Sequence, residues 1–403
     1  MLAAIFTGLS GMTAYSRGLD LISNNVANLN TPGFKVSDPL FREIVYDQLR
    51  NGSDAQAGTR PGGAGVDVDT SRVSFRQGEM RSTGNSLDVA IDGNGFFVLK
   101  RDGNTIYTRA GQFEFDDDGV LIERDSGAQV MLVASGGSVA SYDITADRTF
   151  APKATTEVKL SGTLAREGTS TTQEIQQITV IDASGAKTTL KAKITRDAAD
   201  ALQWAVEVLD KNNDVIGSGT VRFNEDGTPA ADHSSIEFTV DPDAAEPFAV
   251  KLSFGTPGTH SGVTSIAGTT ATQVSVLKQD GLELGSLTSL EFDERGSLKL
   301  TYSNGETKTV GSLQLAMFAA PDQLQSLGRS LFAAAEKSSP RLGSGMSSGL
   351  GRVVGGQVEL SNVELTEQFT DLIIIQRGYQ ASSQIGSVAN EMMQQLLAMD
   401  SRR

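Results

Sequence analysis

The chain has 403 residues, no cysteine and a net charge of −15. The lack of cysteine excludes a disulfide framework, a zinc–thiolate site and a thiol nucleophile, and the acidic balance disfavours nucleic acid and anionic membranes as partners. All apolar runs are shorter than about 18 residues, which predicts no membrane insertion, and because no Lys or Arg precedes Arg17, the N-terminus is not expected to be a cleaved signal peptide.

Apolar residues near the N-terminus recur at steps of three and four, which predicts an amphipathic helix over residues 2–29. This spacing is typical of a coiled-coil seam, and a helix that carries one needs a partner to bury it. Pro32 and Gly33 then end the helix and turn the chain. The expected packing residues of this first seam are Leu2, Ile5, Leu9, Met12, Leu19, Ile22, Val26 and Leu29.

The long middle of the chain alternates apolar and polar residues at period two, which predicts strands. Residues 71–145 and 276–339 are expected to form an inner β domain. Residues 146–275 are expected to form an outer all-β domain inserted into it, a sandwich or barrel whose first and last strands lie close together. The Gly-rich, polar segments 35–70 and 340–359 are expected to be extended connectors, either flexible or packed.

A second helix is predicted over residues 363–399, with the same spacing of apolar residues and with small residues in its middle that allow close approach of a partner. Its expected packing residues are Leu365, Phe369, Leu372, Ile375, Tyr379, Ala389, Met393 and Leu396. The predicted fold class is mainly β with long terminal α-helices. It combines a coiled-coil pair from residues 1–34 and 360–403 with two nested all-β domains, the second inserted in the first.

No catalytic, cofactor or metal site is predicted. Acidic turns that start at Phe115 and Phe223 carry oxygen ligands suited to calcium, but a solvated turn with glycine at positive φ is the favoured interpretation. The segment from Asp210 begins like an EF-hand loop, yet it has Val215 and Val221 where that loop needs Gly and Glu. The two histidines lie in polar, loop-like stretches and are predicted to be surface residues; they are His233 and His260.

Three strings in the chain have a more specific form. After the first seam the sequence reads Asn24-Asn25-Val26-Ala27-Asn28-Leu29-Asn30-Thr31-Pro32-Gly33-Phe34-Lys35. Near the other end it reads Ser361-Asn362-Val363-Glu364-Leu365, with Gln376-Arg377-Gly378-Tyr379-Gln380 further along. The third string is Leu87-Asp88-Val89-Ala90-Ile91-Asp92-Gly93-Asn94-Gly95-Phe96-Phe97. A helix stop alone needs none of these asparagines.

In this order the strings resemble the signatures of the rod and hook family of bacterial flagellar axial proteins. The motif residues at the two ends are Asn24, Asn25, Asn28, Thr31, Pro32, Gly33, Phe34, Ser361, Asn362, Val363, Gln376, Arg377 and Tyr379. The resemblance covers residues 1–145 and 275–403, and the segment between them is matched only in size and character. It implies a structural subunit rather than an enzyme, with both seams packed against neighbouring copies.

The size of the 146–275 insertion favours a hook subunit, and a distal rod subunit is the alternative. For a hook subunit the resemblance implies a homopolymer: a curved, hollow helical tube that acts as a universal joint between rod and filament. The implied partners are the distal rod protein, the hook cap, the hook-filament junction protein and the type III export apparatus, and the implied location is the extracellular flagellar hook. On the residues alone, a secreted β-domain protein that binds or hydrolyses carbohydrate stays open, with helices that only close its fold.

Overall fold

The computed structural model describes residues 2–46, 62–134, 136–167, 171–242, 246–268, 272–335 and 338–400. These residues form two compact units. Unit 1 comprises Met1–Thr145, Leu290–Lys299 and Thr309–Arg403, and unit 2 comprises Ala146–Ser289 and Leu300–Lys308. The division into domains given above stays a prediction. The two units differ from it at residues 276–289 and 300–308, which were predicted in the inner domain but belong to unit 2.

Two long helices belong to unit 1: α1 (Leu2–Ala27) and α2 (Leu365–Asp400). α1 ends at Ala27, two residues before the predicted end at residue 29, and Gly33, with a φ of +68°, turns the chain further along. Leu29 therefore lies in the turn after the helix rather than in it. Within the described part of the chain, neither helix combines the length and apolar character that a membrane crossing requires.

The first strands of unit 1 are short, apart from a long hairpin that directly follows α1. They are β1 (Ser37–Tyr46), β2 (Gly62–Val73), β3 (Met80–Ser82), β4 (Val89–Asp92), β5 (Phe96–Arg101), β6 (Asn104–Thr108), β7 (Phe113–Phe115), β8 (Leu121–Glu123), β9 (Gln129–Ala134) and β10 (Val139–Ser141). β1 and β2 pair antiparallel and pack against α1. The predicted connector 35–70 thus contains a paired hairpin, and its residues 47–61 lie outside the described residues.

Unit 2 begins with β11 (Thr149–Phe150) and continues with longer strands. These are β12 (Glu157–Ala165), β13 (Thr172–Ile181), β14 (Lys187–Arg196), β15 (Gln203–Leu209), β16 (Val215–Arg222), β17 (Ser235–Val240), β18 (Phe248–Ser253), β19 (Val263–Ile266) and β20 (Gln273–Gln279). β13 to β16 form one antiparallel sheet, and β17, β18, β12, β19 and β20 form the other. The two sheets enclose one apolar core around Trp204, Phe223 and Phe254, as expected for a sandwich. β12, near the start of the predicted insertion, pairs directly with β20, which spans its predicted end.

Three strands contain residues of both units: β21 (Gly285–Phe292), β22 (Ser297–Tyr302) and β23 (Thr307–Leu313). The chain then completes unit 1 with β24 (Leu315–Met317), β25 (Gln325–Gly328), β26 (Leu331–Ala333), β27 (Arg341–Gly343), β28 (Arg352–Gly355) and β29 (Gln357–Glu359). β27, β28 and β29 pair with β24, β4 and β3. The second predicted connector, 340–359, is thus hydrogen-bonded to the inner β structure.

The core of unit 1 contains a cluster of aromatic rings on β5, β6 and β26 and directly after β24. Phe96 packs edge to face against Phe318 and Phe332, with ring centroids 5.8 and 6.1 Å apart. Tyr107 packs in the same way against Phe318, at 4.8 Å. Edge-to-face pairs of this kind stabilise a core beyond simple burial.

Candidate subunit interface

α1 and α2 are antiparallel, and small residues lie between them. A Cβ built on Gly8 would lie 3.1 Å from the carbonyl oxygen of Ser382 and 3.4 Å from the amide nitrogen of Gly386. Further along α1, a Cβ on Gly18 would lie 2.9 Å from Cδ1 of Ile375. Because neither glycine has a side chain, the helices approach more closely than leucine seams permit. The inner seam consists of Gly8, Gly11, Tyr15, Gly18, Ile22 and Asn25 on α1 and Gln368, Ile375, Gly378, Ser382, Gly386 and Ala389 on α2.

The aromatic ring of Tyr15 packs between the two helices at the inner seam. A Cβ on Gly378 would lie 2.5 Å from Cζ of Tyr15, so the ring lies directly over the glycine backbone. The same ring packs against Phe41 of β1, with centroids 5.3 Å apart. Tyr15 thus contacts α2 and the hairpin at once, and it fixes the register of the helix pair against β1.

The predicted packing residues fall into three groups. Ile22, Ile375 and Ala389 are buried within the chain, with 1%, 4% and 6% of their surface exposed. A second group is half-buried: Ile5, Met12, Leu19, Val26, Leu29, Leu372 and Met393. The exposed group comprises Leu9, Leu365, Phe369 and Tyr379. The side chains of Leu2 and Leu396 lie outside the described residues. The predicted residues therefore do not form a single seam. Mostly small residues line the contact between the helices instead.

Many large apolar side chains of the two helices are instead about half exposed. Each of them is exposed over 41% to 59% of its surface, and together they form the outer apolar face: Phe6, Leu9, Leu365, Phe369, Ile373, Ile374, Tyr379, Ile385, Val388 and Met392. Ile385, Val388 and Met392 also line a groove of about 500 Å³ together with Ala4 and Ala381. Exposed apolar surfaces of this extent mark contact sites for other molecules.

The N-terminal motif ties α1 to β1 and to α2 through Asn25, which is 1% exposed. Its Nδ2 donates to Oε1 of Gln368 at 2.8 Å and to the carbonyl oxygen of Ser37 at 3.0 Å. Its Oδ1 accepts the amide N–H of Ser37 at 3.1 Å. The side chain of the neighbouring Asn24 is exposed, and among the described residues its Oδ1 accepts one hydrogen bond, from Nδ2 of Asn28 one turn later. The two adjacent asparagines therefore have different roles.

Two further motif positions join the chain ends. The amide N–H of Gly33 donates to the carbonyl oxygen of Glu359 at 2.8 Å. A Cβ on Gly33 would lie 2.5 Å from the amide nitrogen of Ala110, so only glycine fits there. Asn362 Oδ1 accepts the amide N–H of Val36 at 2.8 Å. Together with Asn25 and Gln368, these contacts between residues 25–37 and 359–368 form what we call the clasp.

A buried charge cluster lies inside the clasp. Lys35 Nζ donates to Oε1 of Glu359 at 2.6 Å, and Arg109 Nη1 donates to Oε2 at 3.4 Å. The side chains of Lys35 and Glu359 are 0% exposed and that of Arg109 is 4% exposed. Burial lowers the pKa of Lys35 and of Arg109, although the charge of Glu359 opposes both shifts. One carboxylate thus serves two buried cations.

The other motif residues are more peripheral. Thr31 Oγ1 donates to Oδ1 of Asn28 at 3.0 Å, and the carbonyl oxygen of Pro32 accepts from Ser330 Oγ at 3.3 Å. Ser361 Oγ accepts the amide N–H of Val363, which is buried. Phe34 is half-buried. Besides Asn24 on α1, the exposed motif residues are Gln376, Arg377 and Tyr379 on α2.

Sequence reasoning missed Arg109, Glu359 and Gln368. Lys35 closes the N-terminal string, and a buried lysine requires an acidic partner. That partner lies 324 positions away, and among 49 acidic residues no local spacing identifies it. Gln368 is the second residue of an ordinary polar pair on the first turns of α2, and its contact with Asn25 follows only from the pairing of the helices.

The acidic turns are closed by their own hydrogen bonds. Asp116 Oδ1 accepts the amide N–H of Val120 at 2.7 Å, and Asp226 Oδ1 accepts the N–H of Thr228 at 2.9 Å. Gly119 and Gly227 have positive φ values of 85° and 88°, as turns of this kind require. Over the described residues, no group of three or more His, Asp or Glu side chains is placed to hold a metal ion. His233 and His260 are exposed.

Three family sequence models match the chain. A model described as "Flagella basal body rod protein" matches residues 5–35, and one described as "Flagellar hook protein FlgE/F/G D1 domain" matches residues 90–164. A model described as "Flagellar basal body rod FlgEFG protein C-terminal" matches residues 354–399. The first and last matches contain most of both helices and both sides of the clasp.

Full-length relatives share the same description. The flagellar hook protein FlgE of Brucella melitensis biotype 1 is 30% identical over 406 residues, which is 97% of each chain. The flagellar hook protein FlgE of Borreliella burgdorferi is 28% identical over 443 residues, covering 99% of this chain and 100% of the relative. That of Escherichia coli K12 is 26% identical over 426 residues, covering 98% and 99%. The alignments run through the insertion as well as the chain ends.

Proposed function

Because the chain belongs to the flagellar hook protein family, we propose that it is the structural subunit that polymerises into the hook of a bacterial flagellum. Many copies form a curved, hollow, helical tube that passes torque from the rod to the filament as a universal joint. The chain is a structural protein with no catalytic role. The long insertion and the full-length relatives favour a hook subunit over a distal rod subunit.

The observation that carries this proposal is the outer apolar face. Ten large apolar side chains of the two helices are about half exposed, while small residues close the contact between the helices. A soluble monomer rarely exposes many large apolar side chains on one pair of helices, and such surfaces mark sites of protein–protein contact. The arrangement here suits a subunit whose helices bury their outer apolar face against neighbouring copies, which a helical polymer supplies. The exposed motif residues Gln376, Arg377 and Tyr379 contact neighbours in the same assembly.

The proposal also includes the finer points of the assembly. The distal rod protein, the hook cap and the hook-filament junction protein are its neighbours at the ends of the tube. The subunit leaves the cell through the type III export apparatus without a cleaved signal peptide and functions outside the cell.

Ile385→Asp tests the proposal directly. Ile385 belongs to the outer apolar face and is 49% exposed, so a charge there keeps contact with water in the folded monomer. In an assembled tube the aspartate would be buried without a partner, at a cost of several kcal/mol per contact. We expect the purified wild-type chain to form curved tubes in negative-stain electron microscopy, and the variant to stay monomeric in sedimentation with an unchanged far-ultraviolet circular dichroism spectrum.

Ser383→Asp is the matched control. Ser383 is exposed on the same helix, two residues before Ile385, and lies outside the outer apolar face. This variant introduces the same residue about 3 Å away along the axis of α2 but on nearly the opposite side of the helix, and we expect it to form tubes. Normal tubes from Ile385→Asp would exclude the outer apolar face as the packing surface. The absence of any tube from the wild-type chain, with sedimentation as a single small species, would exclude the structural function itself.

A further inference from the structure

The charge cluster joins three segments that are far apart in the sequence. Lys35 follows the N-terminal motif, Arg109 follows β6, and Glu359 is the last residue of β29. Glu359 Oε1 also accepts the amide N–H of Gly78 at 2.8 Å, and Arg109 Nη2 donates to the carbonyl oxygen of Gly93 at 2.9 Å. Within the described residues, Arg109 Nε has no hydrogen-bond partner. The cluster therefore has one anion for two cations, and the anion, Glu359, lies after both cations in the sequence.

Without Glu359 in position, the buried environment of Lys35 disfavours a positive charge. The carbonyl oxygen of Arg76 is then its only hydrogen-bond acceptor among those the structure shows, at 2.8 Å, and Arg109 is a second positive charge nearby. A buried cation without an anion is strongly unfavourable. The amide N–H groups of Gly33 and Val36 would also lack their acceptors, which are Glu359 and Asn362.

We propose that Glu359 acts as a latch that orders the N-terminal segment from Asn25 to Ser37 only when the segment from Glu359 to Gln368 has docked. The two segments make all contacts of the clasp across more than 300 positions of sequence. α1 then acquires its fixed position on the β structure only after α2 is attached to the same base. In a chain that lacks residue 359 and those after it, the N-terminal motif would lack these contacts and would not be ordered on the β structure.

Trypsin tests the latch because it cleaves after lysine, and Lys35 is fully buried in the closed clasp. The full-length chain would be compared with Glu359→Ala, Glu359→Gln and Glu364→Ala, and cleavage of the bond between Lys35 and Val36 would be timed by mass spectrometry. Loss of one partner of a buried ion pair leaves the other uncompensated, so we expect at least tenfold faster cleavage there in both Glu359 variants. Glu364 is exposed five residues later, and its variant should match the wild type.

The two Glu359 variants separate charge from shape. Glu359→Gln retains an oxygen for the N–H of Gly78 but has no charge for Lys35 and Arg109. Wild-type protection of Lys35 in Glu359→Ala would overturn the latch, and protection in Glu359→Gln alone would overturn its electrostatic basis. Equally accelerated cleavage after Arg101 and Lys299, elsewhere in unit 1, would show general unfolding rather than local release and would also overturn it. Emission from Trp204, the single tryptophan, should be unchanged because it lies in the core of unit 2.

Discussion

Gly33→Ala should destabilise unit 1 through two separate effects. Gly33 has a φ of +68°, and an alanine in this left-handed region costs about 1–2 kcal/mol. Its Cβ would also lie 2.5 Å from the amide nitrogen and 2.9 Å from Cα of Ala110. These are backbone atoms that cannot rotate away, so overpacking adds about 1–3 kcal/mol. We expect a total loss of about 2–5 kcal/mol in the free energy of unfolding.

Gly356→Ala separates the two effects. Gly356 has a nearly identical φ of +70° and lies between β28 and β29 of the same unit, but a Cβ there would meet nothing within 4 Å. Its variant should lose only the left-handed cost of about 1–2 kcal/mol. Urea unfolding followed at the helical circular dichroism band would measure both, since both long helices belong to unit 1. Equal losses for the two variants would refute the close approach of Gly33 to Ala110.

Two further predictions concern single polar side chains. Asn25→Ala removes three hydrogen bonds to Ser37 and Gln368 and should cost about 2–4 kcal/mol in urea unfolding of unit 1, whereas Asn24→Ala should cost less than about 1 kcal/mol; similar costs would contradict the clasp. In unit 2, the pKa of Asp280 lies well below the ordinary 3.8. Burial raises this pKa, but hydrogen bonds from the Thr156 hydroxyl and from the amide groups of Glu157 and Thr156 lower it by more. This stabilisation is present above pH 3.8 and is lost as the pH falls below that value, so Trp204 fluorescence should show acid sensitivity that Asp280→Asn reduces.

The fold could be predicted where a local pattern determines it. Period-two alternation located the strands of unit 2, because each buried residue there faces a single core between two sheets. The start of α1 and the turn at Pro32 and Gly33 were equally local, although the helix itself ends earlier, at Ala27. The β1–β2 hairpin was missed because β2 and the segment before it are rich in Gly and polar residues, which is typical of a connector. The hairpin packs on α1, a contact that no local pattern shows.

The candidate site was harder to predict because two kinds of helix contact share one sequence pattern. Steps of three and four identify large apolar residues, and these were expected to face the partner helix. Between α1 and α2 the close contacts are made largely by glycine and serine, which carry no apolar signal. The clasp depends on partners more than 300 positions apart, such as Lys35 and Glu359. Sequence spacing contains no information at that range.

The division between inner seam and outer apolar face has an energetic consequence for assembly. Burial of a large apolar side chain from full exposure contributes about 1.5–3 kcal/mol, so each of the ten half-exposed residues has roughly 1 kcal/mol still to gain. About 10 kcal/mol per copy is similar to the cost of about 4–15 kcal/mol for immobilising one protein on another. Packing of the helices alone would therefore leave polymerisation close to balance. A single buried charge, as in Ile385→Asp, is then large enough to abolish it, whereas a change outside the face is not.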